Sequence, residues 1–234
     1  MQTIPYGSTL NQIIEFFGQE PMGKDPLFVY IHGGYWQVGS PRLPIGFINN
    51  LISKKMAVAC ISYDLAPEVS MAAIVHQVTT AVRFINEHCE KNSAKSFYLC
   101  GHSAGAHLCC MVLLNCTDAH VRCLEGLILL SGIYSLSPIC GTYIAEPLQK
   151  LFGKELHIAV GEFESNTFKQ NSKDFYLKVQ KQSHDVHAKF SVLPGVDHFT
   201  LIETLDDLAS SSTKYIHNCI NCSKVQPLDT QAFP

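Results

Sequence analysis

Apolar positions along the chain fall into short runs separated by stretches with helical spacing. The runs are Leu27 to Ile31, Ala57 to Ser62, Phe97 to Cys100, Leu127 to Ser131, Leu156 to Val160 and Phe190 to Leu193. Each is too short for a helix and rich in β-type residues, so each reads as a strand. Between the second and third, Ile74, Val78, Ala81, Val82 and Ile85 recur on one helical stripe. A second helix is predicted over Ala106 to Leu114, directly behind a strand. A last one runs from about Leu201 to Cys219, with Leu201, Leu205, Leu208 and Ile216 on one side. Strands alternating with helices predict βαβ units and an α/β fold with a mostly parallel central sheet and helices on both faces. In such a sheet ligands bind beyond the carboxyl ends of the strands. Chemistry is therefore expected just after Ile31, Cys100 and Val160.

Composition narrows the classes of function. A chain of 234 residues, 47% hydrophobic and 16% charged, is large enough to bury roughly 70 to 75% of its unfolded surface in one core. A single domain is expected over 1–223, with 224–234, polar and carrying two prolines, as a loose C-terminal tail. A formal charge of −3 without a basic run offers nothing to nucleic acid or to an anionic membrane. Met1 to Gly18 lacks the basic and apolar regions of a signal peptide, and no window approaches the roughly 20 apolar residues of a membrane span. A soluble, cytoplasmic protein is expected. Its ten cysteines read mostly as core filling. Cys219-x-x-Cys222 has no second pair to complete a metal site, so no metal is expected. Asn115-Cys116-Thr117 and Asn221-Cys222-Ser223 match the glycosylation pattern, which requires a secretory route this sequence does not announce.

The sharpest chemical signal is Gly101-His102-Ser103-Ala104-Gly105, set between a strand and a helix. A serine between two glycines at such a turn reads as a nucleophile elbow with Ser103 exposed to attack a carbonyl. After the first strand comes His32-Gly33-Gly34-Tyr35-Trp36. Backbone N–H groups near Gly33 and Gly34 are suited to an oxyanion hole together with that of Ala104, although a tight turn beneath an aromatic pair would look the same. A serine needs a base, and in this chain order the base follows the last strand. His198 lies there, whereas His184 and His187 precede that strand. The acid that orients it belongs after Val160, where Glu164 is the first choice and Glu162 the second. Asp64 precedes the serine and is excluded by order.

With Ser62-Tyr63-Asp64-Leu65-Ala66-Pro67, and with Ala106-His107 extending the serine motif, these segments make the chain resemble the kynurenine formamidases, a family of α/β hydrolases. The resemblance extends from about Ile4-Pro5-Tyr6-Gly7 to the last helix, and Tyr35-Trp36 distinguishes this family from wider ester hydrolases. It implies hydrolysis of N-formyl-L-kynurenine to L-kynurenine and formate in tryptophan catabolism. Ser103 would be the nucleophile, His198 the base and Glu164 the acid, with no cofactor. The aromatic leaving group calls for an aromatic pocket, for which Tyr35, Trp36, Tyr134 and Phe199 are candidates. Three departures stand out: glutamate where the family usually has aspartate, a shortened N-terminus, and a shortened segment 135–155. Apolar surface left by the missing segments would favour pairing into a homodimer or poor solubility. Two other readings remain open, a general small-ester carboxylesterase and a non-catalytic binding protein on the same fold.

Overall fold

The computed structural model describes residues 1–18, 26–91, 96–135, 153–182 and 186–222. The expected tail 224–234, and most of the segment 135–155, lie outside the described residues.

One eight-stranded sheet organises the molecule, in the order β1 (Gln2–Pro5), β2 (Ile13–Phe17), β4 (Val58–Ile61), β3 (Leu27–Ile31), β5 (Phe97–His102), β6 (Leu124–Leu130), β7 (Glu155–Gly161) and β8 (His187–Leu193). β1 and β2 pair antiparallel, and β2 pairs antiparallel with β4. From β4 across to β8 every neighbour is parallel. Continuous apolar runs such as Leu27 to Ile31 suit central strands because both of their faces are covered. Leu27, Val29 and Ile31 join a core with α2 (Met71–Lys91), α3 (Ala104–Asn115) and α4 (Asn166–Gln182), through residues such as Ile74, Leu108 and Phe175. Phe28 and Tyr30 point into the opposite core with α1 (Ile45–Ser53) and α6 (Ser211–Cys222), through Phe47, Leu51 and Ile216. The stripe Ile74, Val78, Ala81, Val82 and Ile85 is buried throughout, as its spacing predicts.

The structure departs from the sequence pattern at the sheet edges and in the last helix. β1 is mostly exposed, and as a short edge strand it carries little apolar alternation to read. β8 begins at His187 rather than Phe190, because its first half lies at the other edge, only partly covered. The helix expected over 201–219 is broken. A short helix α5 (Thr200–Glu203) runs into a 3₁₀ turn at Thr204–Asp206, and α6 restarts at Ser211. Asp207 accepts the Ala209 N–H, and Ser210 Oγ caps the Thr213 N–H, so side-chain oxygens offer the backbone an alternative to continuing the helix. Leu208, expected on the apolar side, is consequently 57% exposed, whereas Leu201, Leu205 and Ile216 are buried.

Among the described residues Cys60, Cys89, Cys100, Cys109, Cys110, Cys116, Cys123 and Cys219 are buried and held in no disulfide. Cys140 lies outside the described residues. Among the described residues no helix is long and apolar enough to cross a membrane.

Candidate active site

Ser103 occupies the single residue between β5 and α3, with φ 54° and ψ −117°. This is a strained conformation for a side chain, of the kind held only where the surroundings dictate it. Those surroundings are steric. A Cβ on Gly105 would stand 2.1 Å from the Ile31 carbonyl oxygen, and one on Gly101 would stand 2.4 Å from that of Gly105. Only glycine lets α3 press this close to β3 and fold back over β5. The Ser103 N–H donates to the Leu130 carbonyl at 2.9 Å, fixing the turn to β6. Ala104 is the first residue of α3, so its N–H has no acceptor within the helix.

Beside it runs the loop after β3. A Cβ on Gly33 would lie 3.1 Å from Ser103 Cβ, so this loop touches the serine. Gly34, Tyr35 and Trp36 follow with φ of 106°, 55° and 62°, a left-handed turn in which Gln37 and Val38 both donate to the Gly34 carbonyl at 3.0 Å. Two side-chain-bearing residues in this region cost roughly 1–2 kcal/mol each. The stretch after β4 supports them: Tyr63 donates its hydroxyl to the His32 carbonyl at 3.0 Å and stacks on the His32 ring at 4.4 Å. The Ala66 N–H donates to the Trp36 carbonyl at 2.8 Å. Asp64 is turned away from this surface and accepts from Thr9, Asn11 and Gln77.

The loops after β7 and β8 complete the constellation. His198 Nε2 lies 3.0 Å from Ser103 Oγ, and His198 Nδ1 lies 2.9 Å from Glu164 Oε1. A carboxylate only accepts, so Nδ1 carries the proton and Nε2 offers its lone pair to the serine hydroxyl. Glu162 is turned elsewhere and accepts the Gly195 N–H at 2.9 Å. Asp197 Oδ1 accepts the N–H groups of Phe199 and Thr200 and the Thr200 hydroxyl, which organises the turn bearing His198. These hydrogen bonds hold its carboxyl below the ordinary carboxylate range.

Three neighbours escaped the sequence reading. Ser131 donates its hydroxyl to Glu164 Oε2 at 2.8 Å. His102, whose ring lies 4.8 Å from that of His198, donates its Nε2–H to the His198 carbonyl at 2.9 Å. Burial, reinforced by His198, pushes the His102 pKa down to about 3 and keeps the ring neutral. Phe168 on α4 packs its ring 4.6 Å from His198. The one sequence signal available for any of these is the place of His102 directly before Ser103; the structure shows β5 running on to it, where its buried ring needs a partner.

The four aromatic candidates separate into two pairs. Phe199 is 68% exposed and edge-on to His198, and Tyr35 is 61% exposed at the end of the β3 loop. Trp36 is buried, edge-on to His107 at 5.1 Å. Tyr134 is buried and stacked on Phe175 at 4.2 Å. Tyr134 also borders a largely polar cavity of about 560 Å³ with Ser135, Asn166, Thr167, Gln170, Asn171 and Asp174; Ser103 and His198 do not line it. Trp36 and Tyr134 are thus buried against neighbouring rings, whereas Tyr35 and Phe199 are exposed and Phe199 lies against His198. No group of three or more metal-ligating side chains occurs among the described residues.

A family model described as the alpha/beta hydrolase fold matches residues 28–155. The kynurenine formamidase of Salmo salar is 31% identical over 227 residues, covering 87% of this chain and 76% of that protein. The kynurenine formamidase of Danio rerio is also 31% identical, over 95% of this chain and 83% of that protein. Among solved structures, an esterase from Thermogutta terrifontis superposes with a TM-score of 0.74 at 15% identity, over 99% of this chain and 95% of that one.

Proposed function

The chain belongs to the kynurenine formamidase family of α/β hydrolases, and from that premise we propose that it hydrolyses N-formyl-L-kynurenine to L-kynurenine and formate through a formyl-serine at Ser103. The observation that carries the reading is the unbroken relay of Ser103, His198 and Glu164, with hydrogen bonds of 3.0 and 2.9 Å, lying against a glycine loop. As Ser103 Oγ attacks the formyl carbon, its proton passes to His198 Nε2. The imidazolium that forms is held by Glu164 through Nδ1–H. Negative charge on the carbonyl oxygen falls towards the N–H groups near Gly33, Gly34 and Ala104. Each well-aimed donor of this kind contributes roughly 3–4 kcal/mol to the transition state.

His198 then gives its proton to the aryl nitrogen as the C–N bond breaks, releasing L-kynurenine. Water, deprotonated by the same ring, attacks the formyl ester and frees formate, returning the proton to Ser103. The acyl group is the smallest possible, so selectivity rests on the leaving group, for which the exposed rings of Tyr35 and Phe199 form the mouth. Eight buried thiols suit a reducing compartment, and the cytoplasm is the location we propose.

The test is steady-state hydrolysis of N-formyl-L-kynurenine and of 4-nitrophenyl acetate by the purified chain. A higher kcat/KM for the formamide supports this reading. A higher value for the ester supports a small-ester carboxylesterase, and the absence of both activities supports a binding protein.

A further inference from the structure

We propose that Ser131 is a positioning residue for the triad acid, its hydroxyl fixing the single arrangement of Glu164 from which a glutamate reaches His198. This rests on the catalytic reading of Ser103, His198 and Glu164.

Glutamate has one more rotatable bond than aspartate, so a buried glutamate facing a histidine needs a second restraint. Glu164 has it. Oε1 meets His198 Nδ1 at 2.9 Å, and Oε2 accepts from Ser131 Oγ at 2.8 Å, so both carboxylate oxygens are engaged. Both residues are buried, and Ser131 is fully enclosed, so no water competes for the bond. Ser131 also stands where a side chain is disfavoured. Its φ is +44°, a left-handed value that glycine adopts more readily. A strained residue whose side chain makes one hydrogen bond, to the acid of the relay, is the pattern expected where local strain serves a site.

The backbone around it is firm. The Ser131 N–H donates to the Ala159 carbonyl at 2.8 Å, and the preceding residue, Leu130, accepts the Ser103 N–H at 2.9 Å. The end of β6 therefore braces the nucleophile with a carbonyl and the acid with a hydroxyl, one residue apart. Removing the hydroxyl leaves Glu164 held through His198 alone, with its other buried oxygen unpaired.

The experiment is a double-mutant cycle of Ser131→Ala and Glu164→Asp, read by 4-nitrophenyl acetate hydrolysis and by the rate of fluorophosphonate labelling of Ser103. Ser131→Ala is expected to lower kcat and the labelling rate together by roughly tenfold, the scale of a sub-ångström misplacement, with KM unchanged. In the Glu164→Asp background, whose shorter acid withdraws from the hydroxyl, the same change is expected to cost less than about twofold. Equal losses in both backgrounds, or wild-type kcat in Ser131→Ala, overturn the inference. Ser131→Gly, which the backbone accommodates, carries the same readout if the alanine variant does not fold. A wild-type chain that resists labelling would instead overturn the catalytic reading itself.

Discussion

In the proposed site, the nucleophile side and the acid–base side are held by different physical means. Ser103 and the loop of Gly33 and Gly34 are placed by backbone: parallel pairing of β3 and β5, glycines against carbonyl oxygens, and positive φ at Gly34, Tyr35, Trp36 and Ser103. Glu164 and His198 sit on loops after β7 and the edge strand β8. Backbone bonds such as Phe163 N–H to the Val196 carbonyl at 2.9 Å join these loops. Side-chain hydrogen bonds from Ser131, within the Asp197 turn, and from His102 to the His198 carbonyl then set the two groups. Steric placement is all or nothing, because a packed backbone has no intermediate setting. A polar network can be weakened one bond at a time. The nucleophile half should therefore fail abruptly and the acid–base half by degrees.

The proposed acid is the exception that sharpens this contrast, because in the proposed mechanism it acts directly on the charged ring. Glu164→Gln should lower kcat on the order of 10⁴-fold by destroying the tautomer that leaves Nε2 free; steady-state kinetics at saturating substrate measure it. Gly34→Ala should fail abruptly. Its Cβ would stand 1.9 Å from the Val38 carbonyl oxygen at φ +106°, so the loop must rebuild. A kcat loss on the order of 10²-fold or more is expected, as for removal of one oxyanion donor, and a Gly34→Ala chain with full activity would break the comparison.

Acid should loosen both halves. Burial holds His102 at a pKa of about 3 and His107 at about 4, below the ordinary histidine value. The unfolded chain therefore binds more protons than the native one between those values and about 6.5. The stability these residues preserve is complete above about pH 6.5 and is lost as pH falls towards 4 and 3, with a limiting slope of roughly 1.4 kcal/mol per pH unit for each histidine. Urea midpoints at pH 7, 6 and 5 should fall in that order, and His102→Gln should flatten the dependence. The smallest effect is expected from Asp197→Ala, which frays the turn before α5. A few-fold loss in kcat with unchanged KM is the graded response of a polar network.

The same division decides what the sequence made legible. Gly33, Gly34, Gly101 and Gly105 are local signals, because steric demands write themselves as missing side chains beside a strand. Ser103 and His198 follow from them by chain order, which leaves Glu164 and Glu162 as the first and second choice for the acid. β1 was not legible because a short exposed edge strand has no apolar alternation. The partnerships of Ser131 and His102 were not legible because Glu164 and the His198 carbonyl are distant in sequence. Nothing near a serine at a strand end announces a carboxylate from another loop. Tyr134 and Tyr35 illustrate a third limit. An aromatic residue suits a core or a ligand equally well, and only packing against Phe175 separates the buried ring from the exposed one.

The account turns on a covalent bond between Ser103 and the formyl carbon. Rapid mixing with N-formyl-L-kynurenine, acid quenching and mass spectrometry of the peptide bearing Ser103 should find one formyl group on that serine, present during turnover and gone after it. Kynurenine released at the wild-type rate by Ser103→Ala, with no adduct on the native chain, would contradict it.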